Sequence, residues 1–106
     1  MLQDFQEKHE TDVDGNPAGG HTEAIGLTID WQDGPLSVDG ERKAPNGAFV
    51  ETVIAAAIGR LRYYQTTRFR SEYNEDAIMY LETGMERLHA RTADREERGV
   101  EGTHKL

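Results

Sequence analysis

The sequence predicts an α+β chain in which a small N-terminal strand region precedes a long antiparallel helical hairpin, the whole assembled as an oligomer. Three observations carry that expectation. Residues 24–32 alternate apolar and polar side chains, as a half-buried strand does. Two later stretches repeat apolar residues every three or four positions, as helices do. The apolar content of 36% in 106 residues is too low for a large private core, so partners are expected to share it.

Residues 1–22 are polar and glycine-rich without sustained periodicity, so they read as an extended arm that needs a partner surface to become ordered. Within it "DVDGNPAGGHTE" places Asp12, Asp14, Asn16 and Glu23 at positions 1, 3, 5 and 12 of a calcium-binding EF-hand loop. Position 6 of that loop requires glycine for its sharp turn, and here it is Pro17, whose ring holds φ near −65°. The flanks disagree as well, because Glu23 leads into a strand pattern rather than a helix. The plainer reading is a Gly/Pro/Asn connector, and no metal ligand set is expected.

Residues 23–45 form the strand region and its loop. Ile25, Leu27, Ile29 and Trp31 share one face, and Thr28, Asp30 and Gln32 the other. Asp33-Gly34-Pro35 ends the strand. A second short strand near 36–38 is expected across the Asp33-Gly34 turn, with Pro35 limiting its pairing.

Residues 46–106 hold the hairpin and a C-terminal tail. Val50, Val53, Ile54, Ala57, Leu61 and Tyr64 predict a helix of about five turns, with Asn46 as its cap. Gly59 inside it costs about 1 kcal/mol relative to alanine, which points to close packing by another helix. Ile78, Leu81, Met85, Leu88 and Thr92 form the seam of a second helix, which Gly99 closes in the left-handed conformation. A hairpin with seams this narrow leaves apolar area uncovered, and a single N-terminal strand cannot cover both sides.

Composition excludes several functions. The net charge of −8 argues against coating a DNA or RNA polymer, which depends on a broad basic field. No cysteine is present, so disulfides and thiolate zinc sites are out. No apolar run approaches the roughly 18 residues of a membrane span, and residues 1–10 lack the apolar stretch of a signal peptide, so a soluble, unexported protein is expected. The four histidines are scattered and no nucleophile has an adjacent base, so no catalytic residue is expected.

Two groupings remain that could bind a ligand. Nine of the twelve basic residues are arginine, and Arg87, Arg91, Arg95 and Arg98 recur along one face of the second helix. The ladder reads either as a salt-bridged surface, with Asp94 and Arg98 as an i,i+4 pair, or as a phosphate site suited to arginine's planar fork. Tyr63, Tyr64, Phe69 and Tyr73 interleave with Arg60, Arg62, Arg68 and Arg70 between the helices. They read either as ordinary packing at helix ends or as a base-stacking pocket.

"NGAFVETVIAAAIGRLRYYQ", "NEDAI" and above all "RTADREERGVEGTH" resemble the helical-hairpin domain of the phage anti-Thoeris cyclic-nucleotide sponges, which are related to the anti-CBASS sponges. The likeness spans roughly residues 27–104. It implies a dimer-based oligomer, expected as a hexamer, that acts in the cytoplasm of the infected bacterium and sequesters immune signals without cleaving them. The implied ligands are cyclised ADP-ribose derivatives and, for some members, cyclic oligonucleotides at separate sites; no cofactor is implied. The family's contacts would fall on Tyr64, Asn74, Arg91 with Arg95, and Arg42, and Phe69 joins them from the aromatic cluster at the hairpin tip. "FRSEYNEDAI" departs from the commoner family form at Ser71 and Tyr73, and the "HETDVDGNPAGGH" arm exceeds that of shorter members. The competing function is a phage or prophage structural protein whose hairpin serves only oligomerisation, and the least supported is a nucleotide hydrolase.

Overall fold

β1 (Gln6–Thr11), β2 (Pro17–Ala24) and β3 (Leu27–Asp33) form a three-stranded antiparallel sheet in sequence order in the computed structural model, which describes residues 4–106. Residues 1–3 of the expected arm lie outside the described residues. The chain folds as two compact units. One comprises the chain up to Phe49 together with Val100–Leu106, and the other is Val50–Gly99.

In the first unit the expected arm proves to be two strands. β1 reads QEKHET and is exposed along its whole length, so it offers no apolar alternation. It is ordered by backbone pairing with β2, in register Gln6 to Glu23 and Lys8 to His21, with a bulge between His9 and Thr11. Charged residues on such an edge also discourage pairing with foreign strands. The near-calcium segment is the connection between these strands. Asp12 Oδ1 accepts the backbone N–H groups of Asp14 and Asn16, both at 2.9 Å. The Asn16 N–H, with that of Asp14, holds the Asp12 carboxyl below its ordinary pKa. The carboxylate closes a hairpin between strands, where an EF-hand would lie between helices.

β3 carries the expected alternation in its centre, where Ile29 is buried and Trp31 half-buried while Thr28 and Asp30 are exposed; at its ends Leu27 is exposed and Gln32 half-buried, against expectation. Across β2 its partners are Thr22 for Ile29 and Gly20 for Trp31. Ile25, expected in the strand, sits in the two-residue turn and is exposed. The short strand near 36–38 exists as β4 (Ser37–Val38), but its partner is β5 (Glu41–Arg42). The turn that joins them is Asp39-Gly40, whose φ values of 52° and 79° make the mirror-image turn that suits a twisted hairpin.

Asn46 is not a helix cap. Its Oδ1 accepts the Asp33 N–H at 2.8 Å and its Nδ2 donates to the Asp33 carbonyl at 2.8 Å, tying the loop to the end of β3. Beside it Ala48 bridges Trp31 in parallel, with Gln32 N–H donating to the Ala48 carbonyl and Ala48 N–H to the Asp30 carbonyl. A Cβ on Gly47 would lie 2.6 Å from the Trp31 carbonyl carbon and oxygen, so only glycine admits this approach. The tail, assigned by sequence to the helices, packs in this unit: Ser37 N–H donates to the Gly102 carbonyl, and Arg42 grips the Glu101 carboxylate with two nitrogens at 2.5 and 3.2 Å.

The second unit is α1 (Val50–Tyr64) and α2 (Glu72–Glu97). Arg62 of α1 is ion-paired with Glu82 of α2, and Gln65 just past α1 donates a hydrogen bond to Glu75, so the helices run antiparallel. α2 buries the expected seam, with Ile78 innermost and Leu81, Met85, Leu88 and Thr92 half-buried. α1 bears out half of the expected stripe: Val53, Ile54 and Leu61 are half-buried and Ile58, not part of it, is buried, while Val50, Ala57 and Tyr64 are exposed. The three- and four-residue steps mark two adjacent faces here, and Ile58 decides which one turns inward. Gly59 has no neighbour within 4 Å of an added Cβ, so the close packing expected there is not made among the described residues. Gly99 ends α2 as expected, at φ +73°, its N–H donating to the Glu96 carbonyl.

Candidate functional site

The turn between the helices concentrates the chain's exposed aromatics. α1 ends when the hydroxyls of Thr66 and Thr67 donate to the Tyr63 and Tyr64 carbonyls at 2.7 and 2.6 Å, removing acceptors a longer helix would use. The turn runs to Ser71, whose extended backbone and side chain cap α2, its Oγ accepting the Asn74 N–H at 3.1 Å. Gln65, half-buried at the base of the turn, joins its two ends. Its Oε1 accepts from Ser71 N–H at 3.0 Å and from Asn74 Nδ2 at 2.9 Å. Its Nε2 donates to the Ser71 carbonyl at 3.0 Å and to Glu75 Oε1 at 2.8 Å.

On this frame Tyr63, Tyr64, Phe69 and Tyr73 stand open to solvent, Phe69 at 66% and Tyr73 at 87% exposure. Guanidinium groups already lie on their faces. Arg60 sits 4.8 Å from the Tyr63 ring centre and 5.0 Å from that of Tyr64, and Arg68 lies 4.7 Å from that of Phe69. A guanidinium is charged at any pH of interest, and a hydrogen bond to Tyr64 raises the Arg60 pKa further above its ordinary value. Flat rings, fixed cations and a half-buried amide are the components with which proteins hold a nucleotide.

Of the six residues expected to bind ligand, this turn brings together Tyr64, Phe69 and Asn74. Arg91 and Arg95 stand apart: 17 residues of helix separate Asn74 from Arg91, a rise of about 25 Å. Arg91 is exposed and Arg95 half-buried. The i,i+4 pair foreseen between Asp94 and Arg98 is made, with Arg98 Nε 3.0 Å from Asp94 Oδ2. Arg42 belongs to the other unit, where Glu101 holds it. Sequence reasoning missed Gln65, which has no signature of its own beyond lying one residue past an apolar stripe.

Elsewhere in this unit a shallow groove of about 350 Å³ lies along the helices, lined by Ala55, Ile58, Arg62, Glu82, Met85 and Glu86. It contains none of the six expected residues. No group of three His, Asp or Glu residues is placed to hold a metal ion among the described residues, and no described helix is long and apolar enough to cross a membrane.

No family model matches the chain. Among curated proteins it is similar to one from Bacillus phage SBSphiJ7 named Thoeris anti-defense 1, with 44% identity over 77 residues. The match covers 73% of this chain and 51% of that protein, so the chain spans about half the length of the relative.

Proposed function

Over the matched 77 residues the chain belongs to the anti-Thoeris family of phage proteins, and on that premise we propose that it is an anti-defence sponge, which captures a cyclised ADP-ribose signal and withholds it without cleaving it. The observation that carries this reading is the turn of the helical hairpin, where exposed aromatic rings, guanidinium groups on their faces and Asn74 converge. Tyr64 and Phe69 stack on base or sugar, Asn74 supplies a polar contact, and Arg91 and Arg95 neutralise phosphate. Arg42, which Glu101 holds in the other unit, is a separate expected ligand contact.

The separation of about 25 Å between Asn74 and Arg91 along α2 means that one ligand engages both only if a second copy supplies one set. An isologous pair of antiparallel hairpins does this, bringing the turn of one copy to the arginine-bearing end of its partner. The exposed surface supports such assembly. In the hairpin only Ile58 and Ile78 are buried among the described residues. No described side chain is less than 2% exposed. We therefore include a dimer-based oligomer, expected as a hexamer, in the proposal. Cyclic oligonucleotides are the second ligand class.

The test is recovery. Protein is incubated with a cyclised ADP-ribose, separated from free ligand and heat-denatured, and the released ligand is identified by mass. Intact ligand at a fixed ratio to protein supports a sponge; a cleaved product means a hydrolase; no retained ligand leaves only an assembly role. A monomeric mass in solution at micromolar concentration would remove the shared site.

A further inference from the structure

The amide of Gln65 has all four hydrogen-bonding positions engaged, and three of its partners have fixed polarity. The Ser71 N–H can only donate, and the Ser71 carbonyl and the Glu75 carboxylate can only accept. They therefore determine which end of Gln65 is oxygen: Oε1 faces the Ser71 N–H at 3.0 Å, and Nε2 faces the Ser71 carbonyl at 3.0 Å and Glu75 at 2.8 Å. The remaining position of Oε1 accepts from Asn74 at 2.9 Å, so the atom of Asn74 turned toward it must be Nδ2. The Phe69 carbonyl, 3.4 Å from the same nitrogen, favours the same orientation.

Asn74 Oδ1 is left without a partner among the described residues. It is not sealed off, since no described side-chain oxygen or nitrogen is both buried and unpartnered. A carbonyl oxygen in a fixed direction beside exposed rings selects for a hydrogen-bond donor and repels a phosphate oxygen.

We infer that Gln65 is a positioning residue that locks Asn74 with its oxygen outward, so that the hairpin turn reads a neutral donor of the nucleoside, a base amine or a ribose hydroxyl, and leaves the phosphates to the arginines. The inference rests on the sponge reading and assigns that site its polarity. Asn74 touches the ligand; Gln65 acts only through it. Free of Gln65, the Asn74 amide rotates and offers N–H₂ or C=O alike, so discrimination falls even where the helices stay folded.

The experiment measures affinities of the full chain by titration calorimetry for a cyclised ADP-ribose and two kinds of analogue. In one the adenine 6-amine is replaced by a 6-oxo group; in the others each free ribose hydroxyl in turn is replaced by hydrogen. The expected result is that one analogue binds the parent at least tenfold more weakly. Which analogue it is tells amine from hydroxyl. That gap should close in Asn74→Ala and shrink to less than threefold in Gln65→Met, with helix content by circular dichroism unchanged. If every analogue binds the parent like the natural ligand, the outward acceptor is wrong although the sponge reading stands. A gap that persists in Gln65→Met removes Gln65 from the role. Should Gln65→Met fail to fold, Gln65→Leu takes its place and is read by the same gap. If the parent binds neither ligand nor analogue, the sponge reading falls and takes this inference with it.

Discussion

Trp31 Nε1 donates to Thr22 Oγ1 at 2.9 Å, diagonally across the pair of strands β2 and β3. The indole reaches that far because its direct partner is Gly20, which has no side chain to occupy the face. Thr22 is 6% exposed, so its hydroxyl could not exchange the indole for water freely. Thr22→Val keeps the shape and removes the acceptor, which should cost about 1–3 kcal/mol for a polar group left unpaired. Thr22→Ser should cost less. Urea unfolding monitored by fluorescence of Trp31, the single tryptophan, measures both.

Gly20 and Gly59 should respond to alanine in opposite directions. Gly20 has φ +141°, and an added Cβ would crowd the backbone carbonyl of Lys8, which cannot rotate away as a side chain would. Gly20→Ala should therefore destabilise the sheet by more than about 1 kcal/mol through overpacking and free β1 first, detected as lost amide protection in residues 6–11. Gly59 faces open space on an exposed helix surface, so Gly59→Ala should stabilise the single chain by about 0.5–1 kcal/mol. If instead it weakens the assembly, a second copy packs on that face. Equilibrium unfolding at several protein concentrations separates the two results.

The strands and helices differed in how openly the sequence declared them. β3 and α2 each bury one face, so Ile29 and Trp31 in one and Ile78 to Thr92 in the other left a period that could be counted. β1 buries no face, and β2 opens with Pro17 and contains Gly19 and Gly20 at positive φ. Their order comes from backbone pairing, of β1 with β2 and of β2 with β3, which side-chain patterning does not record. Asn46 misled because the same side chain that caps a helix also binds a strand end. At the candidate site the cluster of aromatics was legible from composition and Asn74 came only from the family resemblance, whereas Gln65 acts through geometry that only the closed turn creates.

His21 should report on the outer face of the sheet through pH. Its Nδ1 lies 2.8 Å from Asp30 Oδ1 and its Nε2 3.1 Å from Glu23 Oε2, so only the doubly protonated ring satisfies both carboxylates. The hydrogen bond to Asp30, then that to Glu23, raises its pKa above the ordinary value of 6.5. Because the folded value is the higher one, the stabilisation is complete below about pH 6.5 and is lost as pH rises through the folded pKa. Asp30→Asn should lower the value and remove most of that pH dependence. Ring chemical shifts followed through a titration would show this, and an unchanged His21 in Asp30→Asn would contradict it.

Arg91 and Tyr64 should differ in the kind of binding energy they provide. Arg91 is exposed and has no side-chain partner among the described residues, unlike Arg98, which Asp94 holds. Replacing it therefore breaks no visible ion pair within the chain, and a change in affinity reports on the ligand rather than on the helix. A charge-assisted hydrogen bond to phosphate is worth about 1.5–3 kcal/mol, so Arg91→Ala should weaken binding of a cyclised ADP-ribose at least tenfold. Tyr64→Ala should lose about 1–3 kcal/mol of stacking, and with it the ring beneath Arg60. Salt separates the two. Removing a phosphate-neutralising cation should flatten the dependence of affinity on ionic strength, and removing a stacking ring should leave that slope intact. Titration calorimetry at two salt concentrations reads both quantities. Should Arg91→Ala bind like the parent with an unchanged slope, the arginine ladder is a solvated face, and the phosphates are held by Arg60, Arg68 and Arg70 around the turn itself.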